Sequence, residues 1–286
     1  MTTWYTFAVM ALFLMGTQRF LYKVSAERKC NTAWTTFSFM GTVSFSSSIM
    51  FIVSGESVAE TSVFLLVVFV NSSSFLVATI THIEGLKYIP TSVAYPIIRL
   101  NTVAVVIFSI LYFKDHLSYY QVAGIVLAMG AIVLLTRELN AKKPSYENIR
   151  LGFIFVFISA LSGAIATISS KFAAIHTNKM AFIALSYMLS TLFSFGLRKR
   201  LQTEETNTNQ GDALVIGFVM GLINFAGYYS FLKALSSGPL SIIASITGMH
   251  FVIAVILSAL VYKEKLPPLR ILGISLTVIS VILLRL

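Results

Sequence analysis

Arg99 is a cation set inside an apolar run, nine residues after Pro90. At helical rise that spacing puts it about 13 Å along a helix begun at the proline, near the middle of a bilayer. A guanidinium at such depth costs several kcal/mol unless it is paired or hydrated, so it marks a functional position by default. Its planar fork of donors suits a carboxylate or a phosphate. Three residues earlier Pro96 has no N–H to give the Ser92 carbonyl, so the helix is predicted to open at Tyr95-Pro96, beside the cation. The bland alternative is that Arg99 pairs with Glu84 or reaches for the interface. Asn101, Asn71, Lys171, Asn224 and the pair Tyr228-Tyr229 are further polar side chains in apolar runs. They are candidates to line the same cavity, although asparagine in a membrane helix often only ties two helices together. The chain has no His-Glu-x-x-His, no glycine-rich phosphate loop and no Gly-x-Ser-x-Gly, which argues against an enzyme and against an ATP-driven pump. Cys30 is the only cysteine, which excludes an internal disulfide framework and a multi-cysteine metal site; no cofactor or metal is expected.

The elements that would hold these residues follow from hydropathy. The 286 residues are 57% hydrophobic and 11% charged, with mean hydropathy +0.85, too apolar for a water-facing surface around one core. The net charge of +10 is spread over short connections between apolar runs, unlike the aromatic-laced basic patch of a nucleic-acid binder. A bilayer core needs about 20 apolar residues per helix. The runs that supply them are 3–22, 31–53, 62–83, 91–112, 118–136, 151–174, 180–197, 213–235, 239–262 and 268–286. They are continuously apolar rather than alternating, so helices are predicted instead of a barrel. The first run has no Lys or Arg before it, so it is expected to remain as a helix rather than be removed as a leader. Connections of a few residues predict that successive helices are antiparallel neighbours. The protein is thus expected to be all-α, multi-pass and integral to the membrane.

The second half repeats the first at a shift of 149 positions. Pro90, Ser92, Lys114, Asp115, Leu117 and Gly124 correspond to Pro239, Ser241, Lys263, Glu264, Leu266 and Gly273. The repeats are assigned to 1–136 and 151–286, joined by a polar linker at 137–150. Five crossings per repeat is an odd number, so the second copy must run upside down, a construction typical of secondary transporters. The shift carries Arg99 to Gly248 and Asn101 to His250. The fourth helix of each repeat therefore holds polarity at mid-depth, and His250 joins the candidates, against the plainer reading of a packing histidine. Asp115 and Glu264, each after a turn and beside Lys114 or Lys263, read as solvated interfacial ion pairs. Gly217-x-x-x-Gly221 reads as a packing motif.

The stretch Leu86-Lys87-Tyr88-Ile89-Pro90 through Lys114-Asp115-His116-Leu117 to Gly124, echoed by Ala234-Leu235 through Lys263-Glu264-Lys265-Leu266 to Gly273, resembles the EamA-type repeat of the drug/metabolite transporter superfamily. Lys23 and Lys171 also resemble a lysine that family members carry near the end of the first helix of each repeat. The resemblance implies ten membrane helices in two inverted five-helix repeats, and a carrier for small organic solutes in the plasma or inner membrane. It also implies cytoplasmic termini, whereas fifteen Lys and Arg on the face of loops 1–2, 3–4, 5–6, 7–8 and 9–10 against five on the other predict exterior ones. The cations inside the membrane favour an anionic or zwitterionic metabolite moved by alternating access, with a coupling ion or exchanged solute as a further partner. The rival is an exporter of cationic or aromatic drug-like compounds held by Tyr95, Tyr187, Tyr228 and Tyr229. A non-transporting intramembrane enzyme or a structural or signalling protein is the alternative of another class.

Overall fold

The computed structural model describes residues 3–28, 30–58, 61–89, 94, 97–137, 149–201, 209–263 and 267–286. The first repeat comprises α1 (Thr3–Glu27), α2 (Thr32–Ser54), α3 (Thr61–Tyr88), α4 (Leu100–Phe108), which loosens into a π turn at Ser109–Phe113, and α5 (Tyr119–Arg137). The second comprises α6 (Ile149–His176), α7 (Lys179–Leu201), α8 (Gln210–Ser237), the broken pair α9 (Leu240–Gly248) and α10 (His250–Tyr262), and α11 (Pro268–Leu283). These account for the ten expected spans. The runs Ala33–Ser54, Thr61–His82, Ile149–His176, Gln210–Ser237 and Leu240–Tyr262 are each long and apolar enough to cross a membrane, and the other apolar helices are shorter. The last helix stops at Leu283, short of the expected 286.

Local chemistry sets the helix ends. Asn31 and Asn209 cap α2 and α8, each side-chain oxygen accepting from a backbone N–H at 3.1 Å (Trp34 and Asp212). Lys114 and Lys263, related by the repeat, both end their helices in the left-handed conformation, at φ 55° and 52°. The sequence repeat thus extends to backbone geometry at a position where a non-glycine residue is unusual.

Lateral packing departs from the sequence expectation. Helices adjacent in sequence make few contacts, and the principal pairs join the two repeats: α1 with α8, α3 with α6, α2 with α7 and α8, and α5 with α11. Exchanging the repeats converts α1–α8 into α6–α3 and α1–α10 into α6–α4, as an inverted two-fold requires. A short loop fixes antiparallel direction, not adjacency; small residues choose the partner. A Cβ at Gly221 would lie 2.5 Å from Thr42 Cβ, and one at Gly217 2.6 Å from the Thr35 carbonyl, so the Gly-x-x-x-Gly of α8 seats α2. Gly85 meets Val156 Cγ2 at 2.6 Å in the same way between α3 and α6.

Both termini lie on one face, where Tyr5 Oη donates to the Val281 carbonyl at 2.8 Å. On the opposite face Arg28 bridges to Asp212 at 3.4 Å, joining the end of α1 to the start of α8.

Candidate functional site

The fourth helix of each repeat is interrupted at nearly the same place. In the first, Arg99 sits in a turn at φ −70°, ψ −11°, and its carbonyl accepts from Thr102 N at 3.0 Å, a tightened three-residue step. In the second, Met249 takes φ −86°, ψ 6° between α9 and α10, and its carbonyl accepts from Val252 N at 3.0 Å. The 149 shift takes Arg99 to Gly248, one residue away from that second break. The two breaks meet, since a Cβ on Gly248 would lie 3.4 Å from Thr102 Oγ1. The expected opening at Tyr95-Pro96 lies outside the described residues.

Around these breaks four basic side chains converge from four spans. Arg19 of α1 and Arg99 both lie within electrostatic range of His82 of α3 and of His250 of α10. The Arg99 guanidinium rests 5.4 Å from the centroid of the Phe251 ring. His250 is oriented by its own helix break, with Nδ1 2.6 Å from the Thr247 carbonyl. Asn101 stands behind the cluster, its Nδ2 3.1 Å from where a Cβ on Gly163 would be and its Oδ1 accepting from Thr102 Oγ1 at 3.2 Å. Arg99 and His250 are therefore within range of each other, whereas Asn101 faces α6.

Arg19 and His82 were not indicated by the sequence. Arg19, four residues before Lys23 near the end of α1, reads as a mouth or interface cation, and the repeat gives it and His82 the apolar counterparts Ile168 and Phe231. Yet Arg19 lies within electrostatic range of α3, α7 and α10 alike, through His82, Tyr187 and His250. It remains exposed there, as does Tyr22 at 36% one turn on, whose ring it overlies at 5.7 Å.

Asn71, Asn224 and Tyr228 form a separate, packed network. Asn71 Nδ2 points at the Ala166 carbonyl (2.8 Å) and at the hydroxyls of Ser169 (2.9 Å) and Ser170 (3.1 Å), tying α3 to α6. Ser170 Oγ lies 3.0 Å from Tyr228 Oη, and Tyr187 Oη donates to Asn224 Oδ1 at 2.7 Å. Edge-on ring contacts continue the wall from Tyr228 through Tyr187 and Phe39 to Tyr22, at centroid separations of 5.8, 6.1 and 6.3 Å. The asparagines, 7% and 6% exposed, thus brace helices behind an aromatic wall. Asn71→Ala is expected to lower stability by about 1–2 kcal/mol, measured as thermal unfolding in detergent, because the two N–H donors that tie α3 to α6 are lost.

Lys171 is elsewhere. Its ammonium donates to the carbonyls of Leu235 at 2.6 Å and Gly238 at 2.8 Å, at the turn between α8 and α9 on the termini face. Asp115 is beside it and is not the solvated partner of Lys114 that the sequence suggested. Its Oδ2 accepts from Ser109 Oγ at 2.5 Å, Ser241 Oγ at 2.7 Å and Ser241 N at 3.1 Å, so it caps the first turn of α9. The left-handed Lys114 reverses the chain and turns this carboxylate inward. Among the described residues no group of three His, Cys, Asp or Glu side chains could hold a metal.

An all-helical bundle of two repeats, each with its fourth helix broken, is the architecture of a membrane carrier. Residues 2–137 and 150–286 both match the EamA-like transporter family, and the chain belongs to it. It is a multi-pass integral membrane protein of that family. Among its relatives are an uncharacterized transporter of Archaeoglobus fulgidus, 26% identical over 52% of each chain, and an uncharacterized protein of Haemophilus influenzae, 27% identical over 62% of this chain and 60% of that one. The matched stretch thus spans about half to three-fifths of those relatives. A crystal structure of another protein superposes with a TM-score of 0.79 over 99% of this chain and 98% of that one, at 13% identity, which shows a shared fold.

Proposed function

We propose that the protein carries a small organic anion across the membrane by alternating access, binding it between Arg19, Arg99, His82 and His250. The observation that supports this reading is the convergence of two guanidiniums on two imidazoles at the helix breaks. Cations held in a partly dehydrated site attract a carboxylate or phosphate far more strongly than they would in water. The Tyr22–Phe39–Tyr187 wall beside them suits an apolar or aromatic body on the same molecule. A coupling ion or an exchanged solute supplies the drive.

The aromatic wall also favours a second reading, an exporter of aromatic cations. A thermal-unfolding screen of the purified protein separates the two, because a ligand that binds only the folded form raises apparent stability. Small carboxylates and phosphates are expected to raise the melting temperature, and amines and quaternary ammonium compounds to leave it unchanged. The reverse pattern would select the exporter. We further read the protein as non-enzymatic. The hydroxyls of Ser230, Ser245 and Thr247 are turned back on the carbonyls of Ala226, Ser241 and Ile243 of their own helices at 2.7–2.8 Å, and those of Ser109 and Ser241 are engaged in capping the start of α9 through Asp115.

A further inference from the structure

The cluster at the start of α9 joins parts that must separate if the termini face is to open. Asp115 and Ser109 belong to the first repeat; Ser241, Gly238 and Lys171 belong to the second. Ser109 Oγ donates to Asp115 Oδ2 and accepts from Ser241 N at 3.2 Å, so Asp115 and Ser109 together satisfy the first turn of α9. Lys171 satisfies the carbonyls at the end of α8 and approaches the Phe113 ring to 5.5 Å. Every residue of α9 from Leu240 to Thr247 is buried. This face is sealed.

The repeat supplies a counterpart on the other face, and some of its members lie among the described residues. Lys23 lies 5.0 Å from the centroid of Tyr262, the counterpart of Phe113. Ser258, the counterpart of Ser109, is buried with its hydroxyl bonded to nothing. A buried hydroxyl without a partner is costly and needs an explanation. The shift also gives that face Glu264 for Asp115 and Ser92 for Ser241, both outside the described residues.

We propose that Asp115, Ser109, Ser241 and Lys171 are the gate of the termini face, engaged in this conformation, and that Ser258 belongs to its counterpart, which engages when the first releases. These are positioning residues: they set which face is open and do not touch the cargo. The inference rests on the alternating-access reading. Its physical basis is that one carboxylate cannot be left uncompensated against a helix start without a charge-sized loss, whereas exchanging one latch for an equivalent one nearly balances.

The test is a single cysteine below the gate, Thr247→Cys in a Cys30→Ser background, labelled with a membrane-impermeant maleimide in sealed vesicles of each orientation. In this parent, labelling from the termini face is expected to be slow. Asp115→Asn and Ser241→Ala should each accelerate it about tenfold or more, the size of a lost charge-assisted hydrogen bond. Asp115→Glu, the acid the second repeat carries, should stay within about twofold of the parent. Ser258→Ala should slow labelling further, by destabilising the conformation open to the termini face. Melting temperatures confirm that each variant folds, and Ser241→Ala serves should Asp115→Asn fail to do so. Rates within about twofold of the parent for folded Asp115→Asn and Ser241→Ala would overturn the gate while leaving carrier function intact. Equal, fast labelling of the parent from both faces would overturn alternating access and the gate with it.

Discussion

Arg99→Ala is expected to reduce uptake of the best-stabilising anion by about a hundredfold or more, since charge-assisted hydrogen bonds contribute roughly 1.5–3 kcal/mol each. Arg99→Lys should be nearly as damaging, because an ammonium cannot reproduce the fork that grips a carboxylate or phosphate at two points. The residue begins α4 at the break, so its position is fixed by backbone and by the Phe251 ring 5.4 Å away. Removing a charge from the interior can relieve strain as well as remove a ligand contact. Uptake in proteoliposomes must therefore be read beside melting temperature. A folded Arg99→Ala protein that transports at the unmodified rate would remove Arg99 from the site.

Gly16→Ala is the second large effect. A Cβ at Gly16 would stand 2.5 Å from Ile253 Cβ and 2.6 Å from the His250 carbonyl oxygen, against α10 at the residue that carries an imidazole of the site. Backbone cannot step aside as a flexible side chain can, so α1 and α10 must part. Overpacking of this kind costs about 1–3 kcal/mol, and here it also separates Arg19 from His250. The expected result is a lowered melting temperature together with weakened anion binding. Gly41→Ala is the control: nothing lies within 4 Å of a Cβ there, and in mid-helix alanine should leave stability unchanged or raise it by up to about 1 kcal/mol.

The number, order and inversion of the helices were legible in the sequence because hydropathy is read one residue at a time, and five crossings per repeat allow one orientation of the second copy. Side-by-side arrangement was not. Lipid tails are as apolar as leucine, so apolar runs carry no signal for which helix meets which; the α2–α8 contact was foreshadowed only by Gly217 and Gly221. In the site, Arg99 and His250 were found because the repeat put polarity at both mid-depth positions. His82 was missed because its repeat counterpart is apolar, and Arg19 read only as a cation near one mouth because it stands near a helix end. Asp115 was misread for a different reason. Its partner Ser241 is 126 positions away, and only the left-handed turn at Lys114 directs the carboxylate to it. The recurrence of Ser109 as Ser258 and of Ser92 as Ser241 was the available clue, since serines repeated beside a repeated acid suggest a shared hydrogen-bonded unit.

Counterflow in proteoliposomes tests the central claim most directly, using the anion that most raises the melting temperature. Vesicles preloaded with unlabelled anion should take up labelled anion transiently above its equilibrium level, as a carrier that exposes one site to each side in turn requires. The paired variant Arg19→Ala/Arg99→Ala, folded and reconstituted at the same density, should show no such overshoot. Uptake that ignores the preload, or an undiminished overshoot in the paired variant, would contradict an alternating anion site built on these two arginines.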